Sequence, residues 1–271
     1  MIITLQGADA AAKNLGKVTP LNHGMPAAGL AALYLFEDTA TAVATDSSGN
    51  ERHGEFVGGS FADLPVKIAA GVRITDVDGG AYHLPVAQNP SGRQRTIILA
   101  ARTSLPTTAG IYTHFIGPLA PPYTVASAYG NGVIGLNWNV NNAVGAQLQL
   151  TPGLNEGGSN YQVVPGSAGN QRTFLAAITV NGEQNRARAY VGSSASVTEK
   201  LTSSAIANHF DGVTNRGDYQ VGAWPLSTKA AAGPLGEIYL AAFYDKELTA
   251  SEIDSHFAFA RRILAARGVS A

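Results

Sequence analysis

An all-β fold is what this sequence predicts: a two-sheet antiparallel jelly-roll sandwich with a short C-terminal α-helix and an N-terminal arm. Three observations carry the expectation. Short apolar segments recur between Gly- and Asn-rich turns, with no helical pattern separating them. One of them, GVIGLNWNV, alternates strictly: Ile134, Leu136, Trp138 and Val140 fall on one side, Gly135, Asn137 and Asn139 on the other. Helical periodicity is convincing once, at the end of the chain.

Taken in order, residues 1–25 differ in character from the rest. IITLQ suits one short strand, and AAAKNLGKV drifts into the linker PLNHGMP. This segment reads as an arm for docking or oligomerisation, and residues 26–271 as the sandwich. LAALYLFED is a buried strand ending in acidic turn residues, and AYHLPV is another short strand. RTIILAARTS is apolar over most of its length, as a strand covered on both faces is. AQLQL, RTFLAAITV and RARAYVG follow GVIGLNWNV, and Asn181-Gly182 between the last two is a hairpin signal. DYQVGAW and GEIYLAAFY complete the strands. The helix then opens on a capping box, Thr249 with Glu252, and a hydrophobic staple, Leu248 with Ile253. Ile253, Phe257 and Leu264 form its apolar stripe. Arg261, Arg262 and Arg267 are placed to complement the helix dipole, and Gly268 to close the helix in a left-handed conformation.

Composition sets the outer limits. The 271 residues suit one large all-β domain with a short appendage, and 45% hydrophobic residues supply a core. Charged residues make up 14%, below the usual quarter or so. A formal net charge of −1 offers no basic field for nucleic acid or for a membrane surface. Cysteine is absent, which removes disulfides, thiolate metal sites and cysteine nucleophiles together. The N-terminus lacks a basic start followed by an apolar run, so no signal peptide is read, and synthesis in a cytoplasm is expected.

Four segments, in order, resemble the laminin-G-like, concanavalin A-type lectin and glucanase fold. LYLFEDTATAVATDSSGNERHGEF looks like its opening strand, variable loop and Asp-x-Ser-Gly-Asn…His-Gly turn. GVRITDVDGGAYHLP looks like a strand pair in which a Gly-rich turn precedes an aromatic strand ending in Pro. RTFLAAITVNGEQNRARAYVGS is similar to the hairpin ending in a Tyr-Val-x-Gly turn, and GPLGEIYLAAFYDKELTASEID to the closing strand and helix start. Together they span residues 29–266. The resemblance implies the fold, which hosts lectins, glucanases and purely structural modules alike. The first residues lie outside it; their IITLQGAD start looks like that of bacteriophage or prophage virion proteins.

The stretch DSSGNERHGEF, residues 46–56, poses the chemical question. Asp46 and Asn50 carry hard oxygens, and some relatives in the resembled family build such loops around calcium. A calcium site wants six to eight oxygens, and this loop offers few. The competing reading is a turn folded by side-chain-to-backbone hydrogen bonds, with His53 pinning the corner to the sheet. No cofactor is expected, calcium being the one ion considered.

Catalysis needs its own arrangement. Retaining glucanases of this fold place paired carboxylates on one strand, and no such array occurs. Glu37-Asp38 are adjacent and face opposite ways, while Glu247 and Glu252 belong to a turn and a helix cap. Nucleophile-elbow and zinc-protease motifs are missing. Sequence reasoning therefore expects no enzyme. Candidate ligand contacts are Tyr123, Tyr129 and Asn131 in one loop, and His209, Asp211, Asn215, Arg216 and Trp224 in another. Asn137 and Asn139 are placed to line an exposed sheet face. Arg216-Gly217-Asp218 reads as turn chemistry before a strand. The expected role is a non-catalytic, virion-associated lectin-like protein, binding a cell-surface glycan or other virion proteins and forming a homo-oligomer. The alternatives are a glycoside hydrolase or depolymerase on the same fold, and a bacterial surface adhesin.

Overall fold

Alternating apolar strands need a second layer to bury against, and the chain supplies it. The computed structural model describes residues 24–37, 43–57, 66–74, 81–87, 90–104, 112–119, 134–141, 145–152, 161–166, 171–201, 218–222 and 236–271. In chain order the first strands are β1 (Leu30–Tyr34), β2 (Val43–Ala44), β3 (Gly54–Val57), β4 (Val66–Ile68), β5 (Gly71–Ile74), β6 (Ala81–Ala87), β7 (Gln94–Ser104) and β8 (Tyr112–Leu119). Then come β9 (Ile134–Asn141), β10 (Gly145–Pro152), β11 (Tyr161–Gly166), β12 (Gln171–Asn181), β13 (Arg186–Val191), β14 (Ser193–Leu201), β15 (Asp218–Gly222) and β16 (Gly236–Tyr244). A helix, α1 (Ala250–Ala266), follows.

Sheet A runs β14-β13-β12-β7-β16-β5-β4, with β1 also on β16; sheet B runs β11-β10-β9-β8-β15-β6-β3-β2. The ladders of both sheets are antiparallel. This is the two-sheet sandwich with one C-terminal helix that the alternation predicts. Strand β16 pairs with β7 on one side, while β5 and β1 share its other side, meeting Gly236–Ile238 and Ala241–Tyr244 respectively. The first strand thus lies against the last. The Asp245 N–H donates to Gly29 O at 2.7 Å and the Tyr244 hydroxyl to Pro26 O at 3.1 Å. Gly71, where β5 begins, approaches β16 so closely that a Cβ would collide with the Ile238 carbonyl oxygen.

Two apolar layers result. Between the sheets lie Tyr34, Ile97, Leu99, Phe174, Ile178 and Phe243 from sheet A, with Phe36 just past β1, against Tyr82, Leu84, Ile116, Tyr219 and Val221 from sheet B. On the far face of sheet A, Ile98, Ala100, Leu175, Ala177, Tyr239, Leu240 and Tyr244 pack against Ile253, Phe257, Phe259 and Leu264 of the helix. Strand β7 is therefore covered on both faces, as its unbroken apolar run predicts. In β16 a bulge between Ile238 and Leu240 lets two consecutive residues, Tyr239 and Leu240, face the helix side.

The helix is anchored as the sequence implies at its ends. Thr249 Oγ1 accepts from the Glu252 N–H and the Glu252 carboxylate accepts from the Thr249 N–H. Leu248 and Ile253 are both buried in the helix-side layer. At the far end Gly268 has φ +75°, with Gly268 N–H donating to Ala265 O and Val269 N–H to Leu264 O, a Schellman closure. The arginines behave differently from the dipole reading. Arg267 reaches away from its own helix, its Nη1 within 2.8–3.2 Å of the carbonyls of Leu35, Ala70 and Tyr239, and its Nη2 on Glu37. Arg261 donates to Gly192 O. Long guanidinium arms find carbonyls of turns and of β16 before they find the helix terminus.

The β12–β13 hairpin also differs in detail. Asn181 pairs with Arg186, so the loop holds Gly182–Asn185 and not two residues. The Asn181 side chain organises it, Oδ1 accepting from the N–H groups of Glu183 and Gln184, and the left-handed residue is Asn185 at φ +48°.

His256 lies in the helix-side layer with 0% exposure, edge-on to Tyr244 and Phe259 at 5.7 and 5.8 Å between ring centroids. Neither ring nitrogen has a hydrogen-bond partner. Burial pushes its pKa down to about 3. Unfolded chains take up a proton below about pH 6.5 that the folded chain refuses until about pH 3, so stability falls as the pH drops through that window. Between pH 7 and 5 the native chain is expected to lose roughly 2 kcal/mol more than His256→Leu in denaturant unfolding. Equal losses in the two proteins would show that the ring does not titrate in this way.

Candidate functional site

Two polar clusters stand on sheet B. The first is the corner formed by residues 46–56. Asp46 is 5% exposed and its carboxylate is saturated. Oδ1 accepts from the N–H groups of Leu33 (3.0 Å) and Ser48 (2.8 Å). Oδ2 accepts from the Ser48 hydroxyl (2.9 Å) and the Arg52 N–H (3.1 Å). His53 Nδ1 accepts from the Asp46 N–H at 3.1 Å, and Asn50 Nδ2 donates to the carbonyls of Leu30 and Ala31. The Tyr34 hydroxyl donates to Arg52 O at 2.7 Å, and burial raises its pKa well above the ordinary tyrosine value. Gly54 follows because a Cβ there would stand 2.6 Å from Leu84 Cδ2 and 2.9 Å from His83 O. The geometry is a hydrogen-bonded corner joining β1 to β3. No group of three metal-ligating side chains occurs among the described residues.

The second cluster occupies the face of sheet B turned away from the core. Tyr82, Leu84, Tyr219 and Val221 point inward, so His83 and Gln220 between them point outward. His83 is the register partner of both Glu55 and Gln220. Its Nε2 lies 2.9 Å from Asp218 Oδ2, and its Nδ1 3.8 Å from Glu55 Oε1. The hydrogen bond to Asp218 is the main cause of a raised His83 pKa, against the lowering effect of burial, with Glu55 adding to it. This histidine contributes stability that is complete below pH 6.5 and is lost as the pH rises through its folded value, the opposite window from His256. The Gln220 amide is 1% exposed, and neither its oxygen nor its nitrogen has a hydrogen-bond partner.

Register continues sheet B beyond this cluster. Ile116 is buried in the core and pairs with Leu136. Asn137 pairs with His114 and Gln149, and Asn139 with Tyr112 and Gln147. Residues opposite each other in an antiparallel ladder share a face. In backbone register Asn137 and Asn139 thus stand opposite Gln149 and Gln147. Tyr123, Tyr129, Asn131, His209, Asp211, Asn215, Arg216 and Trp224 lie outside the described residues. Glu55, His83, Asp218 and Gln220 were not singled out from the sequence as ligand contacts. The available signal was one polar residue between two apolar ones in AYHLPV and in DYQVG.

No protein-family model matches the chain, and no curated protein sequence does. Solved structures do match in fold. Trypanosoma rangeli sialidase in complex with sialic acid is 15% identical with a TM-score of 0.56, over 86% of this chain and 33% of that one. A mutant of that sialidase displaying trans-sialidase activity is 15% identical with a TM-score of 0.57, over 91% and 35%. Domain 4 of AbnA, a GH43 extracellular arabinanase from Geobacillus stearothermophilus, in complex with arabinotriose, is 17% identical with a TM-score of 0.50, over 85% of this chain and 98% of that one. The chain spans about a third of the length of the sialidases. What is shared is the β-sandwich; the laminin-G-like and phage attributions find no counterpart among these structures.

One expectation is corrected here. The missing carboxylate pair was read as the sign of a chain without enzymatic activity, yet structures sharing the fold are those of enzymes, the sialidases. A sequence motif is a weak guide on a sandwich, because a β-sheet assembles side chains from distant strands. Glu55, His83 and Asp218 meet across such distances.

Asp46→Ala leaves the N–H groups of Leu33, Ser48 and Arg52 without their acceptor, and is expected to cost on the order of 3 kcal/mol in denaturant unfolding. Neither EDTA nor added calcium is expected to move the melting temperature of the native chain. A rise with calcium would assign the corner a cation.

Proposed function

We propose that this chain is a glycan-interacting β-sandwich module whose contact surface is the outer face of sheet B. The observation that carries this reading is the asymmetry of the sandwich. Sheet A has apolar residues on both faces and a helix over the outer one, whereas sheet B turns carboxylate, imidazole and amide groups outward. Saccharide hydroxyls donate and accept at once, and amides and carboxylates laid out on a rigid sheet match that need. The likeness to an arabinanase domain solved with arabinotriose and to a sialidase solved with sialic acid supports the same reading. A second reading, a structural or decoration subunit of a virion, rests on the resemblance of the N-terminal segment alone.

The purified chain is expected to bind at least one class of glycan on a broad array, with reduced binding in His83→Ala and in Asn137→Ala/Asn139→Ala. Release of reducing ends from the bound glycan, measured on the same samples, reports whether the module also cleaves what it holds. An array without a single hit would remove the glycan reading.

A further inference from the structure

The charge of the sandwich is divided between its sheets. Every Lys and Arg carried by a described strand lies in sheet A, among them Lys67, Arg73, Arg95, Arg102, Arg186 and Arg188. The strands of sheet B carry none. Several of the sheet A cations are already matched: Arg73 with Glu237 at 2.7 Å, Arg186 with Glu247 at 2.7 Å, and Arg95 with Asp245. The charged residues in the strands of sheet B are Glu55 and Asp218, apart from its histidines. His83 sits between them, so even a protonated ring leaves this cluster with a net negative charge. The Glu55 side chain is 76% exposed and projects that charge outward.

Resting on the glycan reading, we infer that the saccharide recognised by this face is neutral, and that acidic sugars are rejected. An acidic sugar brings a carboxylate or sulfate that asks for a guanidinium or ammonium partner. The outer face of sheet B meets it with two carboxylates, and like charges brought together oppose binding. A neutral saccharide meets acceptors for its hydroxyls at Glu55 and Asp218. Opposite His83 in the ladder lies the buried Gln220 amide, whose oxygen and nitrogen lack protein partners. A buried amide in that state is matched by a hydroxyl-bearing ligand or by water.

The test is calorimetry on the whole chain with two sets of oligosaccharides: neutral ones, such as arabinotriose and cellotriose, and acidic ones, such as sialyllactose and trigalacturonate. Binding is expected in the neutral set, changing less than about twofold between roughly 50 and 500 mM NaCl because no ion pair with the ligand is screened. Asp218→Asn is expected to weaken it about tenfold. Glu55→Gln, a change on an exposed side chain that leaves the core untouched, is expected to weaken it less. Binding confined to the acidic set, or an affinity that rises in Glu55→Gln, overturns this inference while leaving the glycan reading in place. No binding in either set, joined to an empty array, overturns both.

Discussion

Strands β7, β12 and β16 are apolar on both faces, and the rest of the molecule follows from that constraint. A strand with one oily face needs a single cover; a strand with two needs a cover on each side. The inner face of sheet A finds sheet B, across a layer built from Tyr34, Leu99, Phe174 and Phe243 on one side and Tyr82, Tyr219 and Val221 on the other. Its outer face finds α1. A buried aliphatic or aromatic side chain is worth roughly 1.5–3 kcal/mol, so Ile253, Phe257, Phe259 and Leu264 hold the helix far more firmly than its surface hydrogen bonds do.

Polar groups then decide how the layers are joined at their ends. Asp46 ties the turn between β2 and β3 to β1, Arg95 lies between the sheets with its guanidinium 5.6 Å from the centre of the Tyr219 ring, and Arg267 draws together carbonyls that follow β1, precede β5 and belong to β16. Glu247 accepts from Arg186 and Asn181 and so fixes the hairpin beside the helix start. These contacts lie at corners, where backbone groups leave the ladders and need other partners. They also pair much of the positive charge on the sheet A side.

Much of this was legible in the chain because the signals are local. A capping box spans three residues, and Thr249 with Glu252 announces it outright. The unbroken apolar run of RTIILAARTS marks a strand covered on both faces, with Ile97 and Leu99 on one side and Ile98 and Ala100 on the other. What was not legible depends on register or reach. Nothing near Arg267 in sequence says that its side chain bridges to Leu35 and Ala70. Nothing near His83 names Asp218, since the two meet only when β6 and β15 pair. The corner at Asp46 held two readings because the same oxygens that bind a cation also bind backbone N–H groups. Geometry gives those oxygens to Leu33, Ser48 and Arg52.

The seating of β1 against β16 has a consequence for how the chain is made. Strand β16 stands near the middle of sheet A, between β7 and the pair β5 and β1. On a ribosome, β1 is made long before β16, the strand whose Ala241–Tyr244 it pairs with. Closing contacts between segments so distant carries a large entropy cost before any reward. The nascent sandwich therefore has an open seam through its centre until β16 has been made. Protection of that seam from other chains, by a chaperone or by speed, is part of what the topology demands.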